Sequence, residues 1–254
     1  MEYSFDPAFA AGVIKDRIRE FAGKTGGKMV LGISGGKDST ICGKLAAEAL
    51  GFENVYGVLM PNGQQGDLCD ALEAVRLAGI RSFEINIKNA FDALVSQLEY
   101  NRLKPSADTI VNMPPRLRMT TLYAVAQTVG GTVICTDNLD ERLAGYFTFY
   151  GDGAGSFAPL RDLTVGEVLA VGKEIGLPER LVCKKPGDGL QPLGDEDRLG
   201  FTYAEMDAFI RMNEGDEGLK ARILDRYRKN KFKTDIVDIP GPEFDYPNFV
   251  AELG

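Results

Sequence analysis

Apolar residues along the chain recur at two spacings, one typical of helices and one typical of buried strands. Short continuous apolar runs predict four strands, at residues 29–33, 55–59, 82–87 and 132–135. Helical spacing predicts the segments that precede and connect these strands, at residues 7–23, 38–50, 67–78, 90–98 and 117–129. Short strands that alternate with such helices form parallel sheets. We therefore predict an α/β fold, a doubly wound parallel sheet with helices on both faces.

The second half of the chain has fewer apolar runs. Two segments there lack apolar periodicity and predict loops, at residues 145–164 and 183–194. The remaining pattern predicts three helices and then a proline-rich segment, at residues 166–175, 203–212, 218–229 and 238–247. We expect one domain over residues 1–254, with an extended C-terminal tail from about residue 230.

The charge balance and the residue types limit the kinds of ligand and catalytic site that this chain can have. The chain has 29 basic and 37 acidic residues, so its net charge of −8 provides no general basic field for a nucleic acid. The absence of histidine excludes Ser-His-Asp and Cys-His catalysis as well as histidine-ligated zinc. The chemistry must therefore rest on carboxylates, cationic side chains and backbone groups.

The cysteines and the apolar runs predict a location. The four cysteines lie far apart without a CxxC pair, which is typical of free thiols in a reducing compartment. No apolar run approaches the roughly 20 residues of a membrane span, and the N-terminus lacks the basic start and apolar stretch of a signal peptide. We expect a cytoplasmic protein that does not enter a membrane.

A glycine-rich segment at the end of the first strand is the strongest sign of function. It has the sequence Ser34-Gly35-Gly36-Lys37-Asp38-Ser39. Adjacent glycines let backbone N–H groups approach a phosphate, and the helix that follows adds its N-terminal partial charge. Asp38 would repel a phosphate unless a cation such as Mg²⁺ lies between them.

Two familiar glycine motifs do not fit this segment. Asp38 follows Lys37 where a Walker loop has Ser or Thr, and the Gly-x-Gly-x-x-Gly fingerprint of dinucleotide-binding folds is absent. The remaining alternative is an ordinary strand-to-helix turn of small residues. Because ligands bind at the carboxyl edge of parallel sheets, we expect residues 34–39, 61–67 and 136–141 to lie on one rim.

The segment at 34–39 resembles the pyrophosphate loop of the ATP pyrophosphatases, which cleave ATP between the α and β phosphates. Within that superfamily, the chain over about residues 10 to 230 resembles the ammonia-dependent NAD synthetases. Five further segments are similar to family segments and occur in the same order: residues 112–119, 136–141, 145–153, 184–186 and 195–203.

The resemblance implies an adenine-nucleotide α-hydrolase fold, a homodimer and a reaction. ATP adenylates the nicotinate carboxylate of deamido-NAD, pyrophosphate leaves, and ammonia attacks the acyl-adenylate to give NAD and AMP. Such a reaction needs positioning and charge stabilisation rather than a histidine nucleophile. The chain has no room for the amidase domain of glutamine-using relatives, so the expected nitrogen donor is ammonia.

The resemblance also implies roles for single residues. Mg²⁺ ligands would be Asp38 and Glu141, and catalytic residues would be Asp38 and Lys184, with Lys185 as the alternative lysine. ATP-binding residues would be Gly32, Ile33, Ser34, Gly35, Gly36, Lys37, Asp38, Ser39, Arg118 and Thr136. Substrate-binding residues would be Asn112, Arg116, Tyr146, Phe147, Thr148 and Asp152.

Each of these roles has a plainer alternative. Glu141 could be a solvated acid in the first turn of a helix, where acids are common. Arg116 and Arg118 could be surface arginines on a helix, and Lys184 with Lys185 could be two solvated lysines on a loop.

The chain also departs from the family pattern. Phe149 stands where the family has a lysine, Ser156 where it has an acid, and Val165 where it has a second lysine. Gly187 replaces a hydroxyl residue and Gly189 a carboxylate, and the basic His-Lys-Arg near the C-terminus is replaced around residues 230–232. The metal acids and the glycine loop are retained, whereas the half that holds the acceptor is changed.

Three functions therefore stay open on sequence grounds. The first is an ammonia-dependent NAD synthetase with a rearranged substrate site. The second is a paralogous ATP pyrophosphatase that activates a different small acid or another acceptor. The third is a nucleotide-binding protein without turnover, which the changes at Val165 and Gly187 motivate.

Overall fold

The computed structural model confirms the predicted fold class. It describes residues 3–64, 68–182, 195–236 and 238–254. The sheet consists of β1 (Met29–Gly32), β2 (Val55–Leu59), β3 (Arg81–Glu84) and β4 (Thr132–Val133). All neighbouring strands are parallel and their order is β3-β2-β1-β4. The last two strands are shorter than their apolar runs predicted.

The helices of the described residues cover the sheet and build a second layer beside it. In chain order they are α1 (Pro7–Lys24), α2 (Lys37–Leu50), α3 (Leu68–Ala78), α4 (Lys88–Tyr100), α5 (Ala107–Val129), α6 (Leu139–Ala144), α7 (Val165–Glu174), α8 (Glu179–Val182), α9 (Asp195–Leu199), α10 (Tyr203–Met212), α11 (Glu217–Ile236) and α12 (Phe249–Leu253).

Successive residues of β1 and β2 point to opposite faces of the sheet, as strand geometry requires. Leu31 and Leu59 are buried against a core that includes residues of α1, α2, α3 and α7. Val30 and Val58 are buried in a separate cluster with residues of α5. Strands β1 and β2 are therefore packed on both faces, which explains why they have continuous apolar runs.

A second apolar core lies in the C-terminal half. It contains residues of α6, α10, α11 and α12, and its most buried large side chains are Met206, Phe209 and Ile210. Leu139 and Leu143 of α6 belong to the same cluster. This core thus fixes the short helix that carries Glu141.

Helix α5 is longer than its sequence predicted. It begins at Ala107, ten residues before the predicted start, and runs through Pro114 and Pro115. Proline removes a backbone hydrogen bond and usually ends a helix, but the Ser106 hydroxyl caps the first turn by accepting from the backbone N–H of Thr109 at 3.1 Å. The N-terminal half of α5 also exposes Ile110 and Val111, so carbonyls left without N–H partners there can reach water.

The C-terminal end also differs from its prediction. Helix α11 continues to Ile236 rather than ending near residue 229, and the short helix α12 follows the extended segment. Cys42, Cys69 and Cys135 are free thiols, as predicted, and Cys183 lies outside the described residues. Within the described ranges, no helix has the length and apolarity to cross a membrane.

Candidate active site

The strand order brings two loops together at one edge of the sheet. Strand β1 pairs with both β2 and β4, so the strand order changes direction at β1: β2 and β3 lie on one side of it and β4 on the other. The glycine loop, residues 34–39, follows β1, and the segment that leads into α6 follows β4. In parallel sheets such a reversal opens the crevice where ligands bind, so the predicted common rim of these two loops is present.

The glycine loop is folded tightly against the start of α2. Gly35 has φ +79°, and a Cβ there would lie 2.8 Å from the backbone nitrogen of Ala71. The backbone N–H of Gly36 donates to the Ser34 hydroxyl at 3.2 Å, and the Ser34 and Ser39 hydroxyl oxygens are 3.3 Å apart. The loop thus places two hydroxyls at the N-terminus of a 14-residue helix, which is suited to an anion.

Gly35→Ala is expected to weaken ATP binding at least tenfold. Alanine resists the left-handed conformation, and its Cβ would displace the loop from α3. Equilibrium binding of ATP to the purified variant checks this. The matched control is Gly23→Ala in α1, where a Cβ meets nothing within 4 Å. An unchanged ATP affinity in both variants would contradict the assignment of this loop.

A chain of polar contacts links the two loops. The Lys37 ammonium donates to Asp38 Oδ2 at 2.6 Å, and Asn138 Nδ2 donates to Asp38 Oδ1 at 3.3 Å. The Asn138 Oδ1 accepts from the backbone N–H of Glu141 at 3.0 Å, while Glu141 Oε2 accepts from the backbone N–H of Asn138 at 3.1 Å. Asn138 therefore connects the two predicted metal acids. Glu141 stands in the first turn of α6, where its carboxylate accepts from the N-cap backbone rather than only from solvent.

Burial and neighbouring carboxylates raise the pKa of two acids in this crevice, Glu141 and Asp137. The protein packed around the Glu141 carboxyl, together with the Asp38 carboxylate, raises the pKa of Glu141 to about 8, although Lys37 opposes this. Burial likewise raises the pKa of Asp137, helped by Glu141, and Asp137 Oδ2 is buried with no hydrogen-bond partner in the described structure. Burial alone would lower the pKa of Lys37. The negative charges of Asp38 and Glu141 have the larger effect, so the pKa of Lys37 is raised. The crevice therefore has an excess of carboxylates that a cation would relieve.

Asp38 and Glu141 fit Mg²⁺ as a donor set. Mg²⁺ binds through one or two carboxylates and completes its shell with phosphate oxygens and water. Over the described ranges, no group of three or more Asp, Glu or Cys side chains is arranged to hold a metal. Phosphate oxygens of ATP and water would supply its other ligands.

Two carboxyl groups, one on α6 and one on α10, hold the start of α7. Asp140 is buried, and burial together with the neighbouring Asp207 carboxyl raises the pKa of Asp140. Asp140 Oδ2 accepts from the backbone N–H of Val165 at 2.9 Å, and Asp207 Oδ2 accepts from the backbone N–H of Gly166 at 2.7 Å. Because Asp140 precedes Glu141, this contact orients the predicted metal acid.

The predicted acceptor residues meet around the turn at residues 145–152. The Thr148 hydroxyl contacts Asn112 Oδ1 at 2.9 Å, and the Thr148 backbone N–H donates to Asp152 Oδ1 at 2.8 Å. Arg116 Nε donates to the Phe149 carbonyl at 3.2 Å. The structure thus brings four of the predicted substrate residues, from two distant segments, to one place.

Two predicted nucleotide residues lie between the halves of the site. Arg118 Nε donates to the Met60 carbonyl after β2 at 3.0 Å, and its charge also acts on Asp152. Thr136 is half-buried at the end of β4, between Cys135 and Asp137. Arg118 is therefore held by the backbone after β2, close enough to the acceptor turn to act on Asp152, which weighs against a mere surface role.

Helix α11 holds the remaining two acceptor residues. The Arg226 guanidinium lies over the Tyr146 ring at 5.9 Å, and the Lys233 ammonium lies over the Phe147 ring at 5.1 Å. Lys233 Nζ also donates to the carbonyls of Gly145 at 2.7 Å and Phe147 at 3.1 Å. Sequence reasoning placed the lost basic residues at 230–232 and missed Lys233, one position further along the helix.

The departures from the family pattern have different structural settings. Val165 is the first residue of α7 and its side chain is buried in the second apolar core. Ser156 donates its backbone N–H to the Val133 carbonyl at 2.9 Å and continues the rim beyond β4. Lys184, Lys185, Gly187 and Gly189 lie outside the described residues. The catalytic role of Lys184 therefore stays a prediction.

Sequence reasoning also missed Asp137 and Asn138. Both lie between Thr136 and Glu141, and the resemblance specified only the two ends of that segment. The Asn-x-x-Glu spacing of a capping box could have identified Asn138, since it places a helix start at the carboxyl end of β4. No comparable local pattern marks Asp137.

Comparison with known proteins gives consistent matches. The curated NH(3)-dependent NAD(+) synthetase of Pyrococcus horikoshii is 42% identical over 197 residues, which are 77% of this chain and 76% of that protein. The structure of NMN synthetase from Francisella tularensis matches with a TM-score of 0.84 and 31% identity, covering 93% of this chain and 99% of that one. The NH3-dependent NAD synthetase of Campylobacter jejuni matches with a TM-score of 0.75 and 29% identity over the same shares.

The family model described as NAD synthase matches residues 11–236, which include every described site residue named above. This chain belongs to the NAD synthase family.

Proposed function

We propose that the chain is an ammonia-dependent ligase that converts the nicotinate carboxylate of deamido-NAD to the amide of NAD. The observation that carries the proposal is the meeting of the glycine loop with Asp38, Asn138 and Glu141 between β1 and β4. This crevice suits ATP, and the acceptor residues border it through Arg118. The family supplies the expectation that ATP is the co-substrate.

The proposed reaction has two steps. One carboxylate oxygen of the acceptor attacks the α-phosphorus of ATP, and the bond to the β-phosphate breaks so that pyrophosphate leaves. Ammonia then attacks the acyl carbon, AMP leaves with the original carboxylate oxygen, and the amide loses one proton. The backbone and hydroxyls of the glycine loop would hold the departing pyrophosphate, and Lys37 would offset its charge.

Mg²⁺ is part of the proposal, held by Asp38 and Glu141. When bound, it would neutralise charge on the phosphates of ATP. Lys37 and Asn138 hold Asp38 in place, and the capping contact with Asn138 holds Glu141, so the protein presents both carboxylates before ATP arrives. Such prior placement lowers the cost of ordering them on binding.

The test is the stoichiometry of products and the choice of nitrogen donor. Purified protein with Mg-ATP, deamido-NAD and ammonium is expected to form AMP and NAD in equal amounts. Glutamine in place of ammonium is expected to give neither product at a comparable rate. ATP cleavage without NAD, in the presence of deamido-NAD and ammonium, would refute the proposed acceptor.

A second candidate acceptor is nicotinate mononucleotide. Two observations favour it: the fold superposes better on an NMN synthetase than on the C. jejuni NAD synthetase, and Phe149 replaces a family lysine at the acceptor turn. The same chemistry on the mononucleotide would give its amide. An equimolar mixture of both acceptors, with the two amide products separated by chromatography, decides between them.

We also propose that the active form is a homodimer. Strand β3 is exposed at all four residues, and α4 buries none of its residues. Exposed apolar side chains cluster on β3, α4, α5 and the segments beside them: Phe83, Ile85, Leu94, Tyr100, Leu103, Ile110 and Val111. Apolar surface on consecutive elements is typical of an interface, and a second copy would cover it.

The oligomer proposal predicts a sedimentation result. Wild-type protein is expected to sediment with twice the mass of one chain, and Leu94→Lys is expected to shift it towards the monomer because it places a charge in the apolar surface. Phe52→Lys, which changes an exposed phenylalanine outside this surface, is the matched control. A wild-type monomer at micromolar concentration would contradict the proposal.

A further inference from the structure

Three aromatic rings form an exposed cluster beside the acceptor turn. The ring centroids of Phe149 and Tyr150 are 4.0 Å apart, and those of Phe149 and Phe232 are 6.1 Å apart. Tyr150 and Phe232 are 53% and 52% exposed. Apolar rings gathered on a surface rather than in a core are typical of a binding site. We call Phe149, Tyr150 and Phe232 the aromatic platform.

The backbone under the platform is held in place. Arg116 Nε donates to the Phe149 carbonyl, and Thr148 contacts Asn112 and Asp152. Tyr150 has φ +55°, a conformation that a bulky residue adopts only when its surroundings impose it. The turn thus keeps Tyr150 in an unfavourable conformation that sets its ring beside Phe149.

Helix α11 holds the third ring in position. Lys233 is bound to the carbonyls of Gly145 and Phe147, and Arg226 Nε donates to the Ala144 carbonyl at 3.0 Å. Asn230 lies against Gly145, where a Cβ would be only 2.2 Å away. These contacts fix the last turns of α11 on the acceptor turn, so Phe232 has a defined place beside Phe149.

The platform presents aromatic rings at two places where the family pattern has basic residues. Phe149 stands where that pattern has a lysine, and Phe232 lies in the basic segment near the C-terminus, between Lys231 and Lys233. Phe149 and Phe232 are 83 positions apart in sequence, and their ring centroids are 6.1 Å apart. A lysine binds a phosphate through its charge, whereas a phenyl ring packs against another planar ring in an offset-stacked or edge-to-face arrangement.

We propose that Phe149, Tyr150 and Phe232 select the acceptor. Their side chains receive a planar ring of the acceptor nucleotide, at a place where the family pattern would offer cations to a phosphate. This inference rests on the proposed function, because it assigns the platform to the same acceptor. It names specificity-determining residues in the turn that Asn112 and Arg116 support.

The test compares two acceptors across a set of variants. Steady-state rates of AMP formation are measured with deamido-NAD and with nicotinate mononucleotide, at saturating Mg-ATP and ammonium. Phe149→Leu keeps an apolar side chain without a ring, and we expect it to raise KM for the preferred acceptor about tenfold. For Phe149→Lys and Phe232→Lys, we expect at least a tenfold change in the ratio of kcat/KM for deamido-NAD to kcat/KM for nicotinate mononucleotide. The change is expected to favour the acceptor with more phosphates.

A second platform variant and one control variant isolate the effect of the platform rings on acceptor choice. Phe232→Lys alters an exposed helix position, so it provides the result if Phe149→Lys does not fold. Phe52→Lys, an exposed phenylalanine that is 61% accessible outside the platform, is expected to leave both KM values unchanged. If both platform lysine variants keep the wild-type ratio within twofold, the proposal is wrong. It is also wrong if they alter the sedimenting mass and leave KM unchanged, since the rings would then belong to a subunit interface.

Failure of the proposed function would look different. If the wild type forms no AMP with either acceptor, binding of both nucleotides to wild type and Phe149→Leu is measured by calorimetry. Weaker binding to the variant would still support the platform, and equal binding would overturn it.

Discussion

Asp38→Asn is expected to lower the rate of AMP formation about a thousandfold, with little effect on folding. Asparagine has the same shape and keeps one oxygen that can accept from Lys37, but it has no second acceptor for Asn138 and lacks the charge that would hold Mg²⁺. Glu141→Gln is expected to lower the rate by about a hundredfold or more for the same reason. Because glutamine also serves in a capping box, this variant preserves the start of α6 and isolates the carboxylate charge.

The measurement is the single-turnover rate of AMP formation at saturating ATP and acceptor. Asp16→Asn is the matched control, since Asp16 is an exposed acid of α1 that pairs with Arg19. Circular dichroism would verify that each variant is folded. Rates above a tenth of wild type in both Asp38→Asn and Glu141→Gln would contradict the metal assignment.

Arg211→Met is expected to lower the free energy of unfolding by about 3–5 kcal/mol. Arg211 and Glu167 are buried, and they form a bidentate pair with distances of 2.6 and 2.8 Å. The guanidinium also donates to the carbonyls of Pro247 and Asp162 at 2.6 Å, and it lies over the rings of Tyr3 and Tyr246. Its loss would leave Glu167 charged and buried without its partner.

Urea unfolding followed by circular dichroism measures this effect. The double variant Arg211→Met with Glu167→Leu is expected to recover part of the loss, because it removes both charges. Lys229→Met, which breaks an exposed pair with Asp225, is expected to change stability by less than about 0.5 kcal/mol. A loss below about 1 kcal/mol for Arg211→Met would show that this pair does not hold the termini to α7 and α10.

Local patterns predicted the sheet and the glycine loop well. The apolar runs of β1 and β2 are buried on both faces, and the two glycines stand where β1 turns into α2, as expected of a phosphate loop. Such features depend on neighbouring residues, so their spacing is visible in the sequence. The two predicted metal acids also lie close together, because the strand order sets their loops side by side.

The features that were missed depend on distant contacts. Lys233 reaches Gly145 across 88 positions, and Thr148 reaches Asn112 across 36. No local spacing of residues in the sequence indicates such contacts. The prediction for helix α5 was too short for a different reason. Pro114 and Pro115 lower the local helix propensity, but the Ser106 cap and tertiary packing outweigh this effect.

The acceptor half shows how a resemblance can locate a site without defining its specificity. The family pattern assigned Asn112, Thr148 and Asp152 to one predicted site. The structure has Thr148 in contact with the other two and adds that Phe149 and Phe232 lie side by side. The proposed ATP crevice thus keeps the family residues, while the acceptor surface has changed. This division explains why the nucleotide chemistry follows from the family more directly than the acceptor does.

One isotope measurement tests the proposed mechanism most directly. In that mechanism the acceptor carboxylate attacks the α-phosphorus of ATP in the crevice between β1 and β4. Deamido-NAD or nicotinate mononucleotide, labelled with ¹⁸O in the nicotinate carboxylate, is turned over with unlabelled ATP and ammonium. We expect each AMP formed to carry one ¹⁸O on its phosphate and pyrophosphate to carry none. Label in inorganic phosphate with release of ADP, or AMP without label, would contradict this mechanism.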